Sequence, residues 1–302
     1  MRSGNARAGR PFSPPELVVA VKAIACELPA QLGLPLSQLH VSDIRAEVIR
    51  RGLVADISGA TIWQWLSEDA IRPWRHRSWI FPRDPNFEAK AGRVLDFYAR
   101  RFEGKRLQIG EYVISADEKT SVQARIRCHP SRPPRQGHPM LVEHEYDRGG
   151  SLAYLAAWDV HRAKLFGRLE EKSGIAPFGR LVDQVMRREP HRSAKRVFWI
   201  VDNGTSHRGE RAVKRLGVTY RNLRLIHLPL HASWLNQVEM FFSILQRKVL
   251  TPNDSASLIE LGERILAFQD EYASVATPFE WKFTRANLAG LLHRLTTQAA
   301  AA

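Results

Sequence analysis

One short run of residues, Arg196–Asn203 (RVFWIVDN), limits the fold more than any other feature. It places β-branched and aromatic side chains at consecutive positions, with no alternation. A strand of that kind is buried on both faces, inside a sheet that helices cover. It ends on Asp202, and a carboxylate at the end of so apolar a strand is costly unless something compensates it. Strand ends of this kind are where open α/β sheets bind ligands.

The surrounding sequence agrees with such a sheet. YVISAD, SLAYLAAWDV and KLFGRLEE read as three antiparallel strands. A helix over 177–188, the apolar strand, a helix over 208–216 and the strand LRLIHLP follow. SWLNQVEMFFSILQRKVL reads as one long helix with Ser233 as its N-cap. The expectation is an α/β fold, a mixed sheet flanked by helices. There is no internal repeat.

The N-terminal part is organised differently. Residues 1–15 are rich in Gly, Arg and Pro and read as a disordered basic tail. Residues 16–28 carry apolar side chains at helical spacing. Ser42 is placed to cap a helix through DIRAEVIRRG, and Ser58 to open SGATIWQWLSEDAIRP, where Pro73 ends the helix. Two short helices joined by a Gly-containing turn describe a helix-turn-helix, so 16–73 reads as a small all-helical DNA-binding region. Its second helix would turn Thr61, Gln64 and Ser67 outward, and Thr and Gln suit base edges. Residues 74–107 read as a linker and a connecting helix over 88–103, 108–295 as the sheet domain, and 296–302 as a frayed tail. In the stretch 72–87, Arg72, Arg75 and Arg77 beside aromatic residues suit a phosphate backbone.

Charge points to the same partner. The 302 residues include 45 Lys and Arg against 31 Asp and Glu, a net charge of +14. Such a field attracts polyanions, of which nucleic acid is the commonest. Lys119, Arg125, Arg127, Arg132 and Arg135 form a basic strip without an acid, a natural track for a backbone. Two cysteines exclude a disulfide framework, and a reducing cytoplasm is the simple expectation. Cys128 lies near His129, His138 and His144, but their spacing matches no zinc pattern. No apolar run reaches the roughly 18 residues of a membrane helix.

Three acids stand out: Asp117 at the end of the first sheet strand, Asp202, and Glu239 inside the apolar run VEMFF. Two strand-end aspartates and one helical glutamate can gather around two Mg²⁺ ions, which take oxygen ligands. Such a pair catalyses in-line phosphodiester displacement. Strand alternation sends Glu118 to the opposite face from Asp117.

The motifs ISADEKT, VDNGTSH and LPLHASWLNQVEMFFSILQRKVL resemble the DDE transposases of bacterial insertion sequences, the branch related to the mariner superfamily. Asp202 and Glu239, with 36 residues between them, match that branch's spacing. FEWKFTRANLAGLL resembles the family's C-terminal end, and ISGATIWQWLSEDAIRPWRHRSWIFPRDPNFEAKA its second DNA-binding helix unit and linker. The resemblance covers most of residues 40–295.

It implies a ribonuclease H-like catalytic domain, with Asp117, Asp202 and Glu239 as catalytic and metal-binding acids. It implies Mg²⁺ with Mn²⁺ as a substitute, terminal inverted repeats and target DNA as double-stranded partners, insertion at TA, and self-association on DNA. A cytoplasmic, nucleoid-associated bacterial protein is the matching location. Asn203, His207 and Asn236 are the expected supporting residues, Asn236 sharing a helical face with Glu239. Lys119 is expected to meet phosphate. Members usually carry two helix-turn-helix units, and here about 40 residues precede the second, so residues 16–34 read as a remnant of the first. Two rivals remain at this point: another ribonuclease H-like endonuclease or integrase, and a domesticated or truncated DNA-binding protein.

Overall fold

The computed structural model describes residues 15–76, 81–204 and 209–300. Arg77 and His207 lie outside them. The chain divides into two compact units, 1–80 and 81–302.

The first unit packs three helices, α1 (Pro15–Ala25), α2 (Val41–Arg50) and α3 (Gly59–Glu68). Val21 and Ile24 of α1, Ile44 and Val48 of α2, and Ile62 and Leu66 of α3 form its core. Each pair is three or four residues apart, the spacing that puts apolar side chains on one helical face. The segment containing α1 is thus an integral part of this unit. Ser58 caps α3 as its sequence suggests, accepting from the Thr61 amide at 3.0 Å. Ser42 does not cap α2. That helix starts one residue earlier, at Val41, where the Asp43 carboxylate accepts from the His40 amide at 2.8 Å. Pro73 does not end α3 either. Ala70 turns left-handed at φ 55°, and the Ile71 amide returns to the Leu66 carbonyl at 2.8 Å.

The second unit opens with α4 (Phe87–Tyr98) and a hairpin of β1 (Arg101–Phe102) and β2 (Lys105–Arg106). The hairpin occupies the end of the expected 88–103 helix, because Arg100, Glu103 and Gly104 all take positive φ there. Then come β3 (Glu111–Ile126), β4 (Asp147–Asp159), β5 (Lys164–Glu170) and α5 (Ile175–Met186). After them come β6 (Arg196–Val201), α6 (Gly209–Thr219) and β7 (Leu223–His227). A 3₁₀ turn (Ser233–Leu235) precedes α7 (Val238–Lys248), α8 (Leu258–Val275) and α9 (Arg285–Ala300). The last helix runs on to Ala300, into the tail expected to fray.

The five long strands form one mixed sheet in the order β5-β4-β3-β6-β7. β3, β4 and β5 are antiparallel neighbours, while β6 and β7 run parallel to β3. Val113, Tyr154, Trp158, Phe198 and Ile200 bury one face with α4, α7 and α8. Ile114, Leu155, Ala157, Val197 and Trp199 bury the other with α5. This two-sided burial is why β6 shows no polar alternation. Phe87, Ala91, Val94 and Phe97 of α4 belong to the first core, so the helix read as a connector is part of the sheet's own packing. Each such fully buried large side chain contributes about 1.5–3 kcal/mol.

A β-bulge separates the two halves of β3. Its pairing with β4 slips between Lys119 and Val122, with Ser121 at φ 56°. The extra residue inverts the alternation. Odd-numbered residues up to Lys119 share the face of Val113, whereas beyond the bulge Val122 and Ala124 do. One long strand thereby presents Asp117 and Lys119 on the α7 face and still buries its distal half against the same core.

Candidate active site

Asp117 and Asp202 are brought abreast by the register of β3 and β6. Glu111 pairs with Arg196, and the pairs continue to Ser115 with Ile200. Two residues further on, the same offset sets Asp117 beside Asp202. Asp117 is therefore not at the end of its strand, which continues to Ile126. It stands where its neighbour β6 stops, and that is what opens the site. Alternation places Asp117 with Val113 and Asp202 with Phe198 and Ile200, all on the face that α7 covers. Glu118 lies on the other side, as expected. Glu239 sits in the first turn of α7.

A buried polar clasp docks the start of α7 against β3. Asn236 is fully buried, and its Nδ2 donates to the Ala116 carbonyl at 3.0 Å and to Asp117 Oδ2 at 3.1 Å. Its Oδ1 accepts from the Ser115 hydroxyl. Ser115 Oγ in turn accepts from the Val238 amide at 2.9 Å, capping α7 from a neighbouring strand. Tyr98 of α4 completes the clasp, donating to the Leu235 carbonyl at 2.7 Å and accepting from the Gln237 amide at 3.2 Å. These bonds replace the cap expected of Ser233, which makes no side-chain cap. They also break the expected long helix into a 3₁₀ turn and α7. Asn236 thus precedes α7 in an extended conformation, not on its helical face, and reaches Asp117 from there. Sequence reading missed Ser115 and Tyr98. Only their polarity amid apolar neighbours hinted at them.

The three acids share one electrostatic environment. Asp117 is 7% exposed. Burial, reinforced by the charges of Asp202 and Glu239, pushes its carboxyl up to about 7, against bonds from the Glu118 amide and Asn236. Burial raises Glu239 as well. Lys119 opposes that rise and Asp202 adds to it. Asp202 Oδ1 accepts from the Gly204 amide at 2.7 Å. Mutual repulsion among three carboxylates at one sheet edge is what a divalent cation relieves. Their oxygens are hard donors of the type Mg²⁺ takes. As they stand, no three carboxylates, imidazoles or thiols among the described residues converge closely enough to grip an ion. The donor set fits Mg²⁺ in chemistry, and the acids would have to draw together to share an ion.

The other expected residues sort out as follows. Asn203 donates to the Leu228 carbonyl at 2.8 Å, bracing the β6 and β7 ends. Lys119 faces Glu239 from β3. Arg127 donates to the carbonyls of Glu143, Glu145 and Asn253 and so pins a loop. Arg125 stacks on the Tyr146 ring at 4.8 Å. On α3, Thr61 bonds the Ser58 hydroxyl at 2.8 Å, and both Thr61 and Gln64 are half-buried. The open surface of that helix is Ala60, Trp63, Ser67 and Glu68, with Trp63 57% exposed. Arg72 and Arg75 lie in the turn after α3. Both cysteines are exposed and free, and His129 is taken by Glu143 at 2.7 Å.

Sheet order and strand directions define a ribonuclease H-like fold, with carboxylates placed at the β3–β6 junction. Residues 113–261 match the model of a DDE superfamily endonuclease domain, and all three acids lie within the matched stretch. Structures of the Mos1 mariner transposase share the fold. The paired-end complex with Mg aligns with a TM-score of 0.53 at 13% identity, covering 99% of this chain and 83% of that one. The paired-end complex with Mn aligns at 0.52 and 15% identity, covering 100% and 82%. The strand transfer complex aligns at 0.50 and 14%, covering 100% and 81%. No curated protein sequence matches the chain.

Proposed function

We propose that the chain is a DNA transposase that cuts the ends of a mobile element and joins them to target DNA. The observation that carries this reading is the β3–β6 register. It sets Asp117 beside Asp202 under the first turn of α7, inside the stretch that matches the DDE endonuclease model. The fold shared with a transposase solved on its transposon ends favours transposition over other endonuclease reactions.

Asp117, Asp202 and Glu239 would hold two Mg²⁺ ions, with Mn²⁺ able to replace them. When bound, the ions supply activation of the attacking oxygen and stabilisation of the leaving one. The protein contributes position and charge. Ser115 and Asn236 fix Asp117 relative to α7, and Lys119 balances the acids and reaches toward phosphate. Terminal inverted repeats, TA insertion, self-association on DNA and a cytoplasmic, nucleoid-associated place in a bacterium complete the reading. No described helix is long and apolar enough to cross a membrane.

The test uses duplexes carrying the DNA that flanks the gene, incubated with the chain and Mg²⁺. The expected products are breaks at the repeat ends and joined strands bordered by duplicated TA. Asp202→Asn should abolish both while DNA binding stays near wild type. Cutting without joining would make the chain a different endonuclease, and cutting by the Asp202→Asn variant would remove the triad assignment.

A further inference from the structure

We propose that a cavity under the N-terminal ends of β6 and β7 is a second DNA-backbone site, gripping phosphate away from the reacting bond. The cavity measures about 490 Å³ and lies wholly within the second unit. Five arginines line it, at positions 93, 101, 196, 224 and 285, against two acids, Asp96 and Glu103. One of those acids is already committed, since Asp96 receives a two-pronged contact from Arg285 at 3.0 and 2.6 Å.

The site is built rather than incidental. Arg285 crosses α4 over Gly92, where an added Cβ would stand 2.2 Å from its Nη1. Arg196 is held by Glu111 at 2.8 Å and lies over the Phe102 ring at 5.1 Å. Arg224 is braced through its own loop, Nη1 donating to the Arg221 and Leu223 carbonyls at 2.7 Å. Arg93 and Arg101 are exposed and form no ion pair among the described residues. Fixed guanidinium groups around a concavity suit phosphate oxygens, which they bind by two-pronged hydrogen bonds.

The location suits a DNA that also occupies the triad. Arg196 points to the same sheet face as Phe198 and, by alternation, as Asp202. The six residue steps from Arg196 to Asp202 span roughly 20 Å along the strand. A duplex covers that distance in about six base pairs. The cavity would hold the DNA backbone at that remove and fix how the duplex enters the site.

This inference rests on the reading that the chain acts on DNA, so its test reads binding alone, with EDTA present. Salt titrations of duplex binding compare wild type, Arg93→Gln/Arg101→Gln, and the control Lys164→Gln/Lys172→Gln, which removes equal charge from exposed positions at and beyond β5. The cavity variant should flatten the slope of log affinity against log salt by about 2, with the control unchanged. A wild-type slope in the cavity variant, or equal flattening in both, overturns the site. Absence of Mg²⁺-dependent cutting by the wild type would instead overturn the transposase reading and leave this result standing.

Discussion

In the proposed mechanism the chemistry turns on Asp117, and its environment makes testable predictions. Its carboxyl is raised to about 7 by burial and by two neighbouring acids. Raising an acid favours the protonated folded state, so the metal-free protein loses stability as pH climbs from about 4 to about 7 and none further above that. Mg²⁺ competes with the same proton. Calorimetric titration should therefore show Mg²⁺ affinity rising with pH up to about 7, with proton release, and Asp202→Asn should flatten that dependence. Asn236→Ala strands the Ser115 hydroxyl and removes the donor to Asp117. It should cost about 1–3 kcal/mol. Thermal unfolding would read this as roughly 2–4 °C per kcal/mol for a unit of this size.

At the scale of elements, what could be read from sequence depended on how local the determining interactions are. β6 and Asp202 just beyond it were readable because an unbroken apolar run ending on a carboxylate has few other uses. The division of the Ser233–Leu250 segment was not readable. Its cap comes from Ser115, more than a hundred residues away, and its clamp from Tyr98 on α4. The β3 bulge was hidden for the same reason, since pairing with β4 reveals it and composition does not. On α3 the helix was plain, and Trp63 joins the open surface beside the half-buried Thr61 and Gln64. In the first unit, Glu47 is buried and held to about 2 by hydrogen bonds from Arg50 and Arg51. A lowered acid stabilises the fold above its ordinary value near 4.5 and loses that effect as pH falls toward 2. Glu47→Gln should lower the melting temperature of this unit at neutral pH. Circular dichroism melts should show the gap from wild type closing between about pH 4.5 and 2.

For the whole molecule, the net charge of +14 and the arginines around the sheet unit argue that DNA is held mainly through its backbone. If six to ten phosphates are contacted, affinity for duplex DNA should fall by about 10³–10⁵ between 50 and 200 mM salt, and filter binding across that range would show it. The proposed division of labour gives recognition to the helical unit, while the sheet unit carries the acids.

The account stands on three carboxylates closing around shared cations. Crystals of the chain with duplex DNA and Mn²⁺, read by anomalous scattering, test that most directly. The account predicts metal peaks at the β3–β6 junction, with oxygens of Asp117, Asp202 and Glu239 all within about 2–2.5 Å of a peak. Metal bound elsewhere, or one of the three acids still about 10 Å or more away from the ions when DNA is in place, would contradict it.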